Sequence, residues 1–524
     1  MDASSSTAPG VRWWPVALVL AAAGLVLARI WIPEGDNRQV QVLASLLVLI
    51  VGVLLLLLWL LAFSRLRARL RLTAAVAVAA VIVLAAASVE IRDISGDLAP
   101  ILAWRWSRPP AAPAASPMPG VVAVGGDTEA GPLAGAADFP QFLGPARNAT
   151  VPGVILDPDW SARPPRERWR VPVGEGWSGF AVGGMRAITQ EQRGDEEAVT
   201  CLDLGSGKTL WSYAYPAHFE DPLGGPGPRA TPSIDDERVY ALGGTGVLSV
   251  LDLADGSVVW SLNVIEEHGG GLPVYGVSAS PLVIGERLFV LAGGSAGRTL
   301  VAYDARTGEL LWTAGDDPAA YSSPSLVRLA GQEQVLLFTE DNVVSHDPAS
   351  GEILWKQPWP WQTQRVSQPL VLPGDRVFVS TGYGVGGRLF RIRRGAGGWS
   401  SEQLWESRGL KAKFTNVVFR DGTIYGLDDG ILVALDVESG ERRWKRGRYG
   451  HGQLLLVDDL LLILSERGEV ALVAASPDGY RELGRIVALD GKTWNHPALA
   501  GRYLLVRNGR EAVCYELATA AGLD

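Results

Sequence analysis

One spacing recurs five times along the chain and constrains the fold more than any other feature. Each copy has an acidic residue, a glycine four residues later and a tryptophan four residues after that, as in "CLDLGSGKTLW" at Cys201–Trp211. The first four copies lie 43 to 52 residues apart and the fifth lies 89 residues, about two such intervals, after the fourth, which is a period typical of repeat architectures. The recurring positions are Asp203, Gly207 and Trp211; Asp252, Gly256 and Trp260; Asp304, Gly308 and Trp312; Asp347, Gly351 and Trp355; and Asp436, Gly440 and Trp444.

The residues around each copy predict two antiparallel strands joined by a tight turn. The run before the acid alternates apolar and polar residues, as in "GVLSVLD", which is the pattern of a strand. The acid can accept backbone N–H bonds in the turn, and the glycine can adopt the positive φ that completes it. The tryptophan on the returning strand is too large for one small sheet to bury, so we expect it to dock on the neighbouring sheet. Two more strands precede each copy, which predicts the four-stranded blade of a propeller.

The number of units predicts eight blades. Trp405 ends a degenerate unit without the acid–glycine turn, another unit ends near Leu483, and the final unit has only three strands. We expect the missing strand to be residues 167–173, because a closing N-terminal strand removes the open edge of the ring. The predicted fold class is therefore an all-β eight-bladed propeller of four-stranded antiparallel blades, over residues 139–524, preceded by three transmembrane helices.

These turns resemble the tryptophan-docking motif of eight-bladed propellers of the pyrroloquinoline quinone (PQQ) type. The segments "FPQFLGPARNATVPG" (139–153) and "RWRVPVGEGWSGFAV" (168–182) also look like the entry region of bacterial PQQ-like repeat proteins. The resemblance covers about residues 139–524 and implies the fold more specifically than the activity. Members of this fold include quinoprotein dehydrogenases and the propeller lipoprotein of the outer-membrane β-barrel assembly machinery, which binds proteins and no quinone.

The first 90 residues predict a membrane domain. Three apolar runs, 13–32, 40–63 and 72–89, approach or exceed the roughly 20 residues that cross a bilayer as a helix; the third is short. Four arginines lie between the second and third runs, at Arg65, Arg67, Arg69 and Arg71. The positive-inside rule places this loop in the cytoplasm.

Three crossings then predict a cytoplasmic N-terminus in a bacterial inner membrane and a propeller that is periplasmic or extracellular. Residues 91–138 form a juxtamembrane segment followed by a linker rich in Pro, Ala and Gly, a composition that cannot bury a core and favours an extended tether. The expected partners are the membrane itself and envelope proteins or peptides.

The segments that precede the first strand of each blade should converge on one mouth of the central channel. The side chains predicted to face it are basic and aromatic in a chain whose formal charge is −9, so we expect an anionic ligand to be attracted there. The alternative is that these are ordinary residues of the propeller surface, with each histidine held structurally by hydrogen bonds. The predicted ligand-binding residues are Trp177, Arg229, Tyr275, Tyr321, Arg365, Lys411, Lys413, His451 and His496.

The function predicted from these features is a binding or assembly scaffold for envelope proteins or an anionic ligand. The alternative is a PQQ-dependent dehydrogenase that oxidises sugars or alcohols and passes electrons to membrane quinone. As the resemblance implies, such enzymes hold a divalent cation near the quinone through carboxylate and amide oxygens. The chain has no adjacent cysteine pair and no CxxCH, and no acid cluster precedes the inner strands. We therefore assign no catalytic residue, metal site or firm cofactor, with PQQ and Ca²⁺ or Mg²⁺ kept under the alternative. A sensor that signals through the helices is a third hypothesis.

Nucleotide binding is not expected, although "GSGKT" lies inside the first repeat copy. A phosphate-binding loop needs another glycine five residues before Gly207, where Leu202 stands, and a helix after Lys208. The mild net charge gives no sign of nucleic-acid binding. Cys201 and Cys514, the two cysteines, occupy small-residue positions of the repeat, so we expect buried, reduced thiols.

Overall fold

The computed structural model describes residues 11–32, 37–106, 120–123, 133, 135–294, 297–361 and 363–520. The chain divides into two compact units, Met1–Ala111 and Ala112–Asp524. The first unit contains three helices that are long and apolar enough to cross a membrane. These are α1 (Trp14–Trp31), α2 (Arg38–Leu58, continued by the π-helical turn Trp59–Phe63) and α3 (Ala68–Ser88).

A two-stranded hairpin, Val89–Ile94 with Pro100–Trp104, follows α3 directly. Its turn is tied to the start of α2, because the Arg38 guanidinium lies 2.8 Å from the Asp97 carboxylate. The side chain of Asn37 caps α2 by accepting a hydrogen bond from the backbone N–H of Gln39, which satisfies one of the free donors at a helix start. The apolar helices therefore end in polar contacts within their own unit.

The second unit is a propeller of eight blades, each built on four antiparallel strands, as predicted from the repeat. The first strand of each blade is innermost and the fourth is outermost. A short helix, α4 (Val264–His268), follows blade 2. Blades 1 to 4 comprise Ala181–Gly183, Arg186–Arg193, Glu196–Asp203 and Thr209–Pro216; Ser233–Asp235, Arg238–Leu242, Val247–Asp252 and Val258–Asn263; Leu282–Ile284, Arg287–Gly294, Arg298–Asp304 and Leu310–Ala314; and Ser325–Leu329, Gln332–Phe338, Asn342–His346 and Ile353–Pro358.

Blade 8 is completed by a strand from the beginning of the propeller. Arg166–Pro172 pairs antiparallel with Glu511–Glu516, so that Glu516 lies opposite Arg166. This pairing joins the two ends of the repeat region and closes the ring. Blades 5 to 8 comprise Leu370–Leu372, Arg376–Thr381, Gly386–Gly395 and Gly398–Ser407; Val418–Arg420, Thr423–Asp428, Ile431–Asp436 and Arg442–Arg448; Gln453–Val457, Leu460–Leu464, Glu469–Ala474 and Glu482–Val487; and Ala498–Ala500, Tyr503–Arg507, Glu511–Glu516 and Arg166–Pro172.

Two blades carry an additional strand. Gly120–Ala123 pairs antiparallel with the outermost strand of blade 1, and Thr150–Val151 pairs parallel with the innermost strand of blade 7. A two-residue pairing of Glu220–Asp221 with Gly225–Pro226 shapes the loop after blade 1. The edges of the blades therefore accept strands that do not belong to the repeat.

Three of the five motif tryptophans, together with Trp169 and Trp405, lie against the turn glycine of the next blade. The Trp211 indole donates from Nε1 to the Leu253 carbonyl at 3.0 Å, and a Cβ added at Gly256 would lie 2.5 Å from the Trp211 ring. Gly256 has a φ of +76°, which L side chains rarely adopt. The same tryptophan–glycine contact recurs at Trp169 with Gly207, Trp260 with Gly308, Trp312 with Gly351 and Trp405 with Gly440.

Trp355 departs from this arrangement because blade 5 has no acid–glycine turn. Its Nε1 donates instead to the Gln334 side chain of its own blade, at 2.8 Å. The degenerate turn seen in the sequence near Trp405 thus changes the partner of the preceding tryptophan. The role of these contacts in holding the blades together stays a prediction.

An entry segment, residues 139–160, contacts the inner strands of several blades and the residues next to them. It exchanges backbone hydrogen bonds between Phe139 and Val182 of blade 1, and Ala149 accepts from Leu456 of blade 7. Between these points, the buried Arg147 donates to the carbonyls of Ser280 and Pro281, which precede the inner strand of blade 3. Burial lowers the pKa of Arg147 to about 9. The entry segment therefore packs along the inner strands of several blades, and the loops that lead into these strands form the candidate site.

Candidate functional site

The candidate mouth is formed by the loops that lead into the inner strands. All nine predicted residues lie on these loops, but the structure divides them into three kinds. The aromatic residues are partly exposed, three cations pair with acids, and the two histidines differ, since His451 is buried whereas His496 packs against the entry segment. Each kind has a different chemical consequence.

A contiguous arc of aromatic rings spans blades 6, 7, 8 and 1. The Trp177 and Trp494 rings lie 4.9 Å apart, the Trp494 and Phe414 rings lie 4.9 Å apart, and the Phe414 and His451 rings lie 4.9 Å apart. The Lys492 ammonium lies 4.3 Å from the Trp494 ring centre and 5.4 Å from that of Trp177, a cation–π arrangement. This mouth arc, defined by Trp177, Trp494, Phe414 and His451, presents partly exposed indole and phenyl surface.

Three tyrosines lie at blades 3, 4 and 5. The Tyr275 and Tyr321 rings meet edge to face at 5.5 Å. Burial raises the pKa of Tyr321 to about 12. Burial, together with the nearby Tyr275, Tyr321 and Asp429, raises the pKa of Tyr383 as well. These hydroxyls therefore stay protonated at neutral pH and are available as hydrogen-bond donors.

Arg229 and Arg365 fix their own loops. Each guanidinium donates to the carbonyls two and four residues before it, which are Gly227 and Gly225 for Arg229. Each also pairs with one acid at 2.5 Å: Arg229 with Asp221 and Arg365 with Glu340. For Arg365 the two carbonyl acceptors are Thr363 and Trp361.

The predicted lysines are almost fully buried. Lys411 is 4% exposed, and its ammonium lies 2.7 Å from Asp428 and 3.5 Å from Asp429. Lys413 is 1% exposed; its ammonium lies 3.4 Å from His451 Nε2 and 5.3 Å from the centre of the Tyr383 ring. Both lysines are therefore turned inward, and the charge of Lys411 is compensated by acids of the chain.

His496 lies against the entry segment. Its ring meets that of Phe142 edge to face at 4.7 Å. Burial lowers its pKa to about 3, so the imidazole is neutral at physiological pH. His496 therefore lies outside the mouth arc, although Trp494, two residues earlier, belongs to it.

Sequence reasoning missed the residues that complete the mouth: Phe414, Lys492, Trp494, Tyr383 and Glu466. Phe414 and Trp494 lie in the same pre-strand segments that yielded Lys413 and His496. A search for aromatic residues in those segments would have found both. The Trp494 indole donates to Glu466 at 2.9 Å, a contact between blades that no local pattern reveals.

A PQQ site needs carboxylate and amide oxygens free to hold a divalent cation. Over the described part of the chain, no group of three or more His, Cys, Asp or Glu residues is placed to hold a metal ion. Asp221, Glu340 and Asp428 are each engaged by an arginine or lysine. These three carboxylates are therefore not free to hold a divalent cation at this mouth.

The two cysteines are both buried and free. Burial raises the pKa of Cys514 to about 12 and also raises the pKa of Cys201. Thiols in such surroundings are poor nucleophiles, so they contribute no chemistry at the mouth.

Solved structures of known proteins share this fold. The quinohemoprotein alcohol dehydrogenase ADHIIG of Pseudomonas putida HK5 matches with a TM-score of 0.52 and 14% identity, over 74% of this chain and 81% of its own. The quinohemoprotein alcohol dehydrogenase of Comamonas testosteroni has a TM-score of 0.50 and 13% identity, over 73% and 80%. BamB of Moraxella catarrhalis has a TM-score of 0.48 and 14% identity, over 67% and 99%. At such identities the likeness to the two dehydrogenases shows the fold alone.

The sequence itself matches one protein family, while a comparison with curated proteins found no match. The family is described as outer membrane protein assembly factor BamB, and it matches residues 161–274 and 195–446. Together these ranges cover more than half of the 524 residues. The chain therefore belongs to the PQQ-like repeat family described as outer membrane protein assembly factor BamB.

Proposed function

We propose that this protein is a membrane-anchored scaffold whose propeller binds segments of envelope proteins at the aromatic mouth. The three N-terminal helices would hold it in the cytoplasmic membrane, with the arginine-rich loop 65–71 inside. The propeller would then work on the periplasmic or extracellular side. The description of its family, a factor in outer membrane protein assembly, supports a role with protein partners.

The observation that carries the proposal is the division of the mouth into exposed aromatic surface and hidden charge. Trp177, Phe414 and Trp494 are partly exposed, whereas Arg365, Lys411 and Lys413 are each at most 4% exposed. Aromatic residues supply contact area at low entropic cost and dominate binding hot spots. Paired, desolvated cations offer little to an anion in solution. The mouth therefore favours a peptide with apolar side chains over a small anionic ligand.

Exposed apolar residues beside the mouth support the same partner. Leu223 is 39% exposed, and its carbonyl lies 3.4 Å from the Lys492 ammonium at the arc. Leu272 is 49% exposed and Val274 is 74% exposed, just before Tyr275. An apolar rim around an aromatic centre is a common arrangement at protein-binding surfaces.

The dehydrogenase alternative has less support. The likeness to quinohemoprotein dehydrogenases is a likeness of fold, and the acids at this mouth are engaged by cations of the chain. We therefore derive no oxidation step. Binding of PQQ by the purified chain tests this alternative.

The experiment is site-specific photo-crosslinking in the full-length chain in membranes. A photoreactive phenylalanine analogue replaces Phe414 in the mouth arc or, as the control, Val487, which is 76% exposed on the outer strand of blade 7. We expect defined cross-links to envelope proteins from position 414 only, and a reduction of at least fivefold in the Trp494→Ala background.

Two outcomes would overturn the proposal. One is an equal cross-linking pattern from positions 414 and 487, which would mean that the mouth has no preferred partner. The other is saturable binding of PQQ with Ca²⁺ or Mg²⁺ by the purified full-length chain, accompanied by dye-linked oxidation of a sugar or alcohol.

A further inference from the structure

The outermost strands of the blades differ in the residues with which they begin. The two residues before each motif tryptophan open the outermost strand. In blades 2 and 3 they are Val258–Val259 and Leu310–Leu311, and each side chain is 42–44% exposed. In blade 6 the same two positions are Arg442 and Arg443. The positions are equivalent, so the repeat fold does not require apolar residues there.

The outermost strands of blades 2 and 3 present unpaired backbone. Val258–Asn263 pairs on one side with Val247–Asp252, and Leu310–Ala314 pairs on one side with Arg298–Asp304. Among the described residues, no strand pairs with their other side. The free edge of each strand therefore carries N–H and C=O groups open to a further strand.

These two edges lack the features that usually prevent strand pairing. Natural edge strands are protected by charged residues, proline or a covering segment. Arg442–Arg448 of blade 6 has five basic residues in seven. The sequences "VVWSLN" and "LLWTA" of blades 2 and 3 have no charge and no proline. Exposed, uncharged edges of this kind are sites where another strand can add.

Blade 1, the neighbour of blade 2, shows an added strand in place. Gly120–Ala123 lies antiparallel to Thr209–Pro216, with Gly120 opposite Ala214 and Ala123 opposite Trp211. The added segment reads Gly-Val-Val-Ala and comes from outside the repeat. The outer edge of a blade in this propeller therefore accepts a short, uncharged segment rich in valine.

We propose that the outermost strands of blades 2 and 3 bind an extended, uncharged, valine- and alanine-rich segment of a partner protein by strand addition. Backbone hydrogen bonds would supply the affinity and the exposed apolar pairs the selectivity. This inference rests on the proposed scaffold function and adds a second surface to it. The strand edges indicate the composition of the partner segment, whereas the mouth does not.

The test uses the full-length chain in detergent and a fluorescent synthetic peptide that copies residues 118–125. Fluorescence anisotropy measures binding, and hydrogen–deuterium exchange locates it. We expect saturable binding, with new protection at residues 258–263 and 310–314. The same peptide with alternate backbone amides N-methylated should bind at least tenfold more weakly, because it cannot form the ladder.

Lysine substitutions test the edges directly. Val258→Lys and Leu310→Lys, combined, should weaken peptide binding at least tenfold without changing Tm by more than a few degrees. The matched control is Gln403→Lys, at the equivalent exposed position of blade 5, two residues before Trp405. It should leave peptide binding unchanged.

Several results would overturn the inference. These are equal binding of the N-methylated peptide, unchanged binding by the double lysine variant, or protection confined to residues 209–216, which would mean exchange with Gly120–Ala123. A dimer in sedimentation that the lysines dissociate would identify a second copy as the occupant instead. If these results contradicted strand addition, the cross-links expected from position 414 would not be affected. The two proposals can therefore be tested separately.

Discussion

The Arg507 guanidinium donates to the Thr189 hydroxyl at 2.6 Å, across the boundary between the last blade and the first. The same side chain is fully buried and also donates to the carbonyls of Gln190 and Gly174. Glu191 lies nearby; burial opposes its ionisation, but the charges of Arg193 and Arg507 outweigh this and lower its pKa. A single buried cation thus links three strands where the ring closes.

Replacement of Arg507 by methionine should destabilise the propeller. The methionine keeps much of the volume but leaves Glu191 with less compensation and the buried carbonyls without a donor. Breaking a buried ionic network costs about 3–5 kcal/mol. We expect a lower denaturation midpoint in urea for the full-length chain. Arg443→Met is the control; its partly exposed pair with Asp436 should contribute less than about 1 kcal/mol. Equal midpoints for the two variants would contradict this role.

Gly256→Ala should destabilise the contact between blades 1 and 2. The added methyl would lie 2.5 Å from the Trp211 ring, at a residue whose φ is +76°. Gly184→Ala is the matched control, since Gly184 has a φ of +57° with nothing within 4 Å. Both variants carry backbone strain of about 1 kcal/mol, but only Gly256→Ala carries the clash. A thermal midpoint clearly lower for Gly256→Ala than for Gly184→Ala checks the docking role of the tryptophan.

The propeller could be predicted from the sequence because its constraint is local and repeated. Asp203, Gly207 and Trp211 lie within nine residues, and the same turn chemistry returns in four other units. The contacts of the entry segment could not be predicted, because Arg147 finds its partners at Ser280 and Pro281, more than 130 residues away. No pattern within a single repeat contains that contact.

The sequence indicated which loops form the mouth but not which of their side chains are exposed or paired. The pre-strand segments do converge, which brings Trp177 and Trp494 within 4.9 Å. The basic residue types in these segments suggested open cations, yet Arg365 is paired with Glu340, which comes from another loop. Burial and pairing depend on the tertiary arrangement, so residue types alone could not separate a binding cation from one that holds a loop.

Arg229→Ala should loosen the loop at residues 217–228. Its guanidinium holds the Gly225 and Gly227 carbonyls, and its loss leaves the buried Asp221 without a cation. Hydrogen–deuterium exchange should show lost protection across this loop. Arg420→Ala, which removes an exposed pair with Asp421, should not change it. Partial restoration by Asp221→Asn in the Arg229→Ala chain would support the pairing; unchanged exchange in Arg229→Ala would refute it.

His496 should contribute to acid sensitivity. Its pKa is lowered by burial to about 3 in the folded protein, against about 6.5 in an unfolded chain. Below pH 6.5 the unfolded state therefore takes up a proton that the folded state does not. The stability is complete above that pH and declines as the pH falls from about 6.5 toward 3.

The test is the fall of the thermal midpoint between pH 7 and pH 4.5. It should be smaller in His496→Gln than in the unchanged chain. His218→Gln is the control, because His218 is exposed, and it should leave the fall unchanged. The same pH dependence in both variants would contradict the assignment.

The entry segment has a mechanical consequence for a propeller that is anchored through its N-terminal linker, as we propose. Tension from upstream would reach the pairing of Gly120–Ala123 with blade 1 first, and then the contacts of Phe139, Arg147 and Ala149. The load would therefore pass to blades 1, 3 and 7 before it reaches Arg166–Pro172, the strand that closes the ring.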